Sequence, residues 1–254
     1  MKKTLLAGLS AAALSVLLAA PAQAAEATGT ILVPDAFDSS LSDTRPNGAF
    51  QVEGTDLHLR TNTNTVPGGT TPNPNKVAEY VATDTLLAGI GEPSLDYTTV
   101  IGHTVGYQLV VDLDGDGDND GVLVGETVYQ DPATGQTVWW LGGHAKFGAS
   151  IPAGTTAPAH PAGTGSAADG TLDQWRTAYP EAVVTAFGFS LGSGNPSEGV
   201  LHSITFNGTT YTFTAPVVLK NKEECKDGGW ATSTAQVFQN QGECVSSFTA
   251  TKNS

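Results

Sequence analysis

The stretch YQLVVDLDGDGDNDGVLVGETVYQ, residues 107–130, reads as two strands and the loop that joins them. YQLVV and VLVGE are short apolar runs rich in valine, and Gly115, Gly117 and Gly121 punctuate the acidic segment between them. Further runs of the same kind recur along the chain, on both sides of this stretch: TGTILV, DLHLRT, YTTVIG, QTVWWL, EAVVTAFGF, VLHSITF and TYTFTAPVVL, with glycine, proline and asparagine between them. Short strands at this spacing, with no regular alternation of helix and strand, point to an antiparallel β-sandwich or jelly-roll-like domain of the all-β class.

HSITFNGTTYTF, residues 202–213, sharpens that expectation. Asn207 and Gly208 can both adopt positive φ, the requirement of a two-residue type I′ hairpin turn. The register places Phe206 opposite Thr209, Ile204 opposite Tyr211 and His202 opposite Phe213. Ile204, Phe206, Tyr211 and Phe213 then share the core face, with His202 alongside them. One cover helix is expected in GTLDQWRTAYP, where Thr171 and Gln174 form a capping box, Leu172, Trp175 and Tyr179 share a side, and Pro180 ends the run. Residues 61–75 and 151–170 have the composition of surface loops.

The amino-terminal 24 residues have the form of a secretory signal: MKK, an Ala- and Leu-rich apolar run, and PAQA with small residues at an A-x-A cleavage site. No later stretch is long and apolar enough to span a membrane, so a secreted, extracellular chain without a transmembrane anchor is expected after cleavage. Losing Lys2 and Lys3 takes the formal charge from −14 to −16. That balance excludes nucleic acid as a partner, because phosphates need a basic surface.

The five aspartates carry the clearest site chemistry. Asp112, Asp114, Asp116 and Asp120 occupy positions one, three, five and nine of D-x-D-x-D-G-x-x-D, with Gly117 at the sharp turn and a backbone carbonyl near Asp118 as a further donor. An all-oxygen set of this kind suits Ca²⁺ better than zinc, and like charges so close favour a bound dication. Position twelve is Leu123, so the loop is not an EF-hand. It resembles the strand-flanked calcium loops of FG-GAP-like repeats and other secreted bacterial modules, and implies a structural Ca²⁺ held by Asp112, Asp114, Asp116, Asp118 and Asp120. Glu126 is a candidate to close the shell.

Catalytic patterns are weaker, and no catalytic residue is assigned. Gly188-Phe189-Ser190-Leu191-Gly192 satisfies G-x-S-x-G, with Glu198 and His202 following, yet GSGNPSEG after Ser190 is loop chemistry where a nucleophile elbow needs a helix. Glu126, Asp173, Glu181 and Glu198 qualify for glycosidase chemistry by residue type alone. The five histidines are dispersed and lack zinc spacing. Binding has more to work with: adjacent Trp139 and Trp140 must point to opposite faces of a strand, so one enters the core and the other either packs under a cover or offers a flat face to a sugar ring.

The tail repeats one pattern, NKEEC at 221–225 and NQGEC at 240–244, each readable as a helix start with Asn221 or Asn240 as N-cap. Cys225 and Cys244 are the sole cysteines, and in an exported chain they are expected to pair. Trp230, Phe238 and Phe248 could supply a minimal core.

CKDGGW…FQNQGECV resembles a carboxy-terminal segment that recurs in uncharacterised secreted proteins of actinobacteria, and TLDQW…AFGFSLGSG…GVLHSITFNGTTYTF is similar to their β-rich domains. The resemblance implies location and architecture, and no reaction. The expected organisation is a signal peptide (1–24), a β-sandwich domain with one cover helix and the calcium loop (25–219), and a disulfide-stapled helical segment (220–254). The functional expectation is a calcium-stabilised module binding an extracellular polysaccharide or cell-envelope glycan. A structural or interaction protein of the cell surface is the alternative, with a secreted hydrolase third.

Overall fold

A computed structural model describes residues 27–61, 73–159, 164, 166–192 and 196–250. Residues 1–24, expected to be a signal peptide, lie outside the described residues, as does most of the first expected loop. Two six-stranded sheets face each other. The first contains β1 (Ala27–Leu32), β2 (Gly48–Glu53), β3 (Asp56–Thr61), β5 (Ser94–Ile101), β11 (Glu198–Phe206) and β12 (Thr209–Thr214). The second runs β4 (Val77–Leu86), β10 (Val183–Leu191), β6 (Gly106–Asp112), β7 (Gly121–Gln130), β8 (Thr137–Gly142) and β9 (Asp169–Gly170) in spatial order. Every ladder between named strands is antiparallel except β1 with β12. This is the expected all-β sandwich.

β11 organises the first sheet. One edge pairs with β5; the other pairs first with β3 over Glu198–Leu201 and then with β12 over Ile204–Phe206. Between the sheets, alternate residues of both interdigitate: Leu57, Leu59, Leu201, Ile204, Phe206 and Phe213 from the first meet Tyr107, Leu109, Leu123, Trp139, Phe187 and Phe189 from the second. Phe187 stacks on Phe206 with ring centroids 4.3 Å apart.

The second sheet is buried on its outer face as well. Leu41, Ala78, Tyr80, Val110, Val122, Val124 and Ala186 form a separate apolar cluster there, with Trp140 and Phe147 against it. The cover begins with residues 38–45, which run beside β4 and bond to its open edge: Asp38 N–H to Tyr80 O (2.8 Å), Asp43 N–H to Ala78 O (3.0 Å) and Arg45 N–H to Lys76 O (2.9 Å). The same segment removes an exposed strand edge and lays Leu41 over the sheet. Burial on both sides explains why β6 is apolar almost throughout instead of alternating.

The Asn207-Gly208 turn has both φ angles positive, at 48° and 73°, and Phe206–Thr209 and Ile204–Tyr211 pair as the turn chemistry dictates. His202 departs from the expected register. The β11–β12 ladder stops at Ile204, and an irregularity between Leu201 and Ser203 makes His202 an extra residue against β5. The bulge turns it to the outer face, away from Phe213.

Helix α1 (Leu172–Ala178) has the Thr171–Gln174 capping box and buries Leu172 and Trp175, with Tyr179 at its end also buried. Residues 151–170 are not loop throughout, since Asp169–Gly170 forms β9 against Trp139 and Trp140. In the tail, Cys225 and Cys244 are bonded, with Cα atoms 5.8 Å apart. Phe238 is buried with them, and Leu219, Trp230, Val245 and Phe248 pack around. Asn240 caps α2 (Gln241–Ala250) by accepting from the Glu243 N–H at 3.0 Å. Asn221 makes a similar contact to Glu223 and Glu224, but successive turns follow it instead of an α-helix. Among the described residues no helix is long and apolar enough to cross a membrane.

Candidate functional site

The acidic loop closes the β6–β7 hairpin. Asp112 ends β6 and is 4 % exposed, and its two carboxylate oxygens accept the N–H groups of Gly115 (2.7 Å) and Gly117 (2.8 Å). These bonds curl the loop, and Gly115 and Gly117 take φ of 74° and 97° to make the bend. Each carboxylate oxygen keeps a second lone pair for another partner. Ligand atoms of Asp112, Asp114 and Asp116 all lie within 4.8 Å of one another, an arrangement able to hold a metal ion.

The remaining candidates are placed differently. Asp120 is spent on the loop's frame, accepting the Leu113 N–H (2.8 Å) and the Ser150 hydroxyl (3.0 Å). Asp118 is exposed and stands outside the convergent trio. Glu126 does not close the shell: it lies over Gly106, at the far end of the strand that Asp112 ends. Asp114's carboxyl is pushed above its usual range by desolvation and by the charges of Asp116, Asp120 and Asp112. Three carboxylates, all oxygen, on a loop already curled by its own N–H groups fit a hard divalent cation and offer nothing to a soft one.

Trp139 is 1 % exposed, in the core beside Tyr107, so its ring is not available to stack on a sugar. Trp140 sits on the outer face of the second sheet, half-buried against the Leu41 cluster. Its indole N–H is buried beside Glu126 and closes no hydrogen bond of good geometry among the described residues. Burial pushes the Glu126 carboxyl upward, partly offset by His103 and by that indole.

The G-x-S-x-G serine is not a nucleophile elbow. Ser190 lies within β10, where its hydroxyl accepts from the Gln108 amide at 2.6 Å, and His202 is engaged elsewhere. Gln108 in turn accepts from the Tyr80 phenol, which burial drives well above its ordinary pKa. This chain satisfies polar groups beneath the cover of the second sheet.

Among the described residues, the outer face of the first sheet is open and polar. Arg60, Glu198, Asp96 and Thr98 are exposed there, with His58, Val200 and His202 intermediate. Two contiguous depressions of about 460 and 140 Å³ share Ala49, Arg60 and Glu198 in their walls. The larger adds Asn47, Ser197 and Ile101, and the smaller His58, Gln51 and Glu53. Arg60 faces Glu198 across the β3–β11 ladder yet forms no ion pair among the described residues, whereas Arg45, Lys76, Arg176 and Lys226 all do. Sequence reading missed this groove because its walls come from segments about 150 residues apart, and a lone arginine in a strand carries no motif. Compared with known protein families, curated proteins and solved structures, the chain matches none.

Proposed function

We propose that the chain is a secreted, calcium-stabilised β-sandwich module that binds an extracellular polysaccharide or cell-envelope glycan along the outer face of its first sheet. The observation that carries this reading is the asymmetry of the two outer faces. One is sealed by residues 38–45 and the Leu41 cluster; the other, among the described residues, is open and bears the groove around Arg60 and Glu198. A polar groove with a guanidinium that forms no ion pair among the described residues, with carboxylates and hydroxyl or amide groups, matches a hydroxyl-rich ligand, which needs directional donors and acceptors more than apolar area. The acidic chain disfavours polyanions unless cations bridge them. The Asp112–Asp114–Asp116 loop is read as a structural Ca²⁺ site, with affinity on the order of the 10⁻⁴–10⁻³ M found in extracellular modules.

The test is retention of the mature protein on immobilised neutral and acidic glycans, beside the Arg60→Ala and Glu198→Ala variants. Saturable retention on one glycan class, weakened about tenfold or more in either variant, supports the reading. A second reading, a surface structural or interaction protein without a small ligand, is favoured by one observation. The large hydrophobic side chains exposed among the described residues are all aliphatic, so none is a stacking platform. Absence of retention on every glycan would select it.

A further inference from the structure

The open face of the first sheet also carries a chain of three polar side chains from three strands. Asp56 Oδ2 lies 3.1 Å from His202 Nδ1, and His202 Nε2 lies 3.0 Å from the Thr98 hydroxyl. We propose that Asp56, His202 and Thr98 form a nucleophilic relay in which Thr98 accepts acyl groups from small, sterically open esters. A carboxylate on Nδ1 holds the proton there and leaves the Nε2 lone pair for the Thr98 O–H, the assignment a general base requires. Thr98 is exposed, and His202 and Asp56 are each about a third exposed, at 35 %.

The backbone supplies a second observation. Ile204 faces the core, so a regular strand would direct His202 inward as well. The extra residue between Leu201 and Ser203 reverses it, at the expense of local pairing with β5, and delivers the imidazole between Asp56 and Thr98.

In the proposed reaction Thr98 Oγ1 attacks the ester carbonyl carbon while its proton passes to His202 Nε2. The tetrahedral adduct collapses, the bond from acyl carbon to leaving oxygen breaks, and Nε2 returns the proton to release the alcohol. Water then attacks acyl-Thr98, again losing a proton to Nε2. The Thr98 oxygen leaves and is reprotonated, freeing the carboxylic acid. Thr98 and His202 are the catalytic residues; Asp56 is a positioning residue. Thr98 lines neither groove on this face, so the site lies open to solvent. A fixed oxyanion donor contributes about 10²–10³ in kcat where one exists, so turnover here should be slow.

The experiment is exposure of the mature protein to p-nitrophenyl acetate at mildly alkaline pH, with nitrophenol release and peptide mapping as readouts. The small ester requires no groove, so the result is independent of the glycan reading. Acetylation at Thr98 is expected, abolished in Thr98→Ala, retained in Thr98→Ser, and slowed about tenfold or more in His202→Ala. Asp56→Asn should slow labelling and Asp56→Glu restore part of it, with melting temperatures of all variants unchanged. Equal nitrophenol release by wild type and Thr98→Ala, or acetyl groups confined to lysines, would overturn the proposal.

Discussion

Trp175 donates its indole N–H to the main-chain carbonyl of Trp139 at 2.9 Å, fastening helix α1 to the strand that carries the tryptophan pair. Both rings are buried, and Trp175 stacks on Tyr179. Replacing Trp175 by Phe removes one buried hydrogen bond and should cost about 1–3 kcal/mol. Trp175→Ala should cost about 3–5 kcal/mol through the cavity it leaves. Denaturant unfolding of the two variants checks both values.

The strap over β4 makes stability depend on pH in two opposing ways. Burial raises the Asp43 carboxyl, but bonds and charge from Arg45 and Lys76, the latter at 2.7 Å, outweigh it and hold the group below its usual range. A depressed carboxyl stabilises the fold above its ordinary pKa of about 4 and loses that contribution as pH falls through the lower folded value. Glu79 is raised, first by burial and also by Asp43, despite bonds from Thr44 and Ser42. Its contribution is present at acid pH and lost as pH rises through the folded value. Asp43→Asn should therefore destabilise at pH 7 and much less at pH 3. Glu79→Gln should raise stability at pH 7–8 relative to wild type and lose that advantage below pH 4. Melting curves across pH decide it.

Calcium should raise thermal stability, and chelator should reverse the effect. With Kd on the order of 10⁻⁴–10⁻³ M, about 10 mM Ca²⁺ contributes roughly 1.4–2.7 kcal/mol by mass action. Asp116→Asn should abolish the shift with little change in the metal-free melt, since Asp116 is exposed and its carboxylate accepts from the Asp118 N–H, a bond that an amide oxygen can keep. Gly117→Ala should cost about 1–2 kcal/mol from its positive φ alone, because no neighbouring atom stands within 4 Å of the added methyl. Unchanged melting with Ca²⁺ would remove the structural-ion reading.

Reducing Cys225–Cys244 should loosen the tail by about 3 kcal/mol and leave the sandwich folded, since Phe238 and the two cysteines form an apolar cluster separate from the sandwich core. Calorimetry with and without reductant should show one transition moving and the larger one fixed.

Local chemistry was legible in the sequence where one segment determines its own geometry. Asn207-Gly208 sets a turn, Thr171 and Gln174 cap a helix, and D-x-D-x-D-G curls around Asp112 within a few residues. What depends on distant segments was not legible. The strap over β4 is drawn from residues with no repeating pattern, and a single bulge at His202 reverses a face that strict alternation assigns to the core. Trp139 and Trp140 show the boundary between the two. Strand geometry requires opposite faces, but that Trp139 is sealed between the sheets while Trp140 lies under a cover of Leu41 and Phe147 depends on segments far apart in sequence.

The most direct test of the ligand face is an NMR titration of the isotope-labelled mature protein with a soluble glycan retained in the binding assay, Ca²⁺ being present throughout. Shift changes are expected to concentrate at His58, Arg60, Ser197 and Glu198 on the first sheet. Changes centred instead on Trp140 and Glu126 across the sandwich would contradict that expectation.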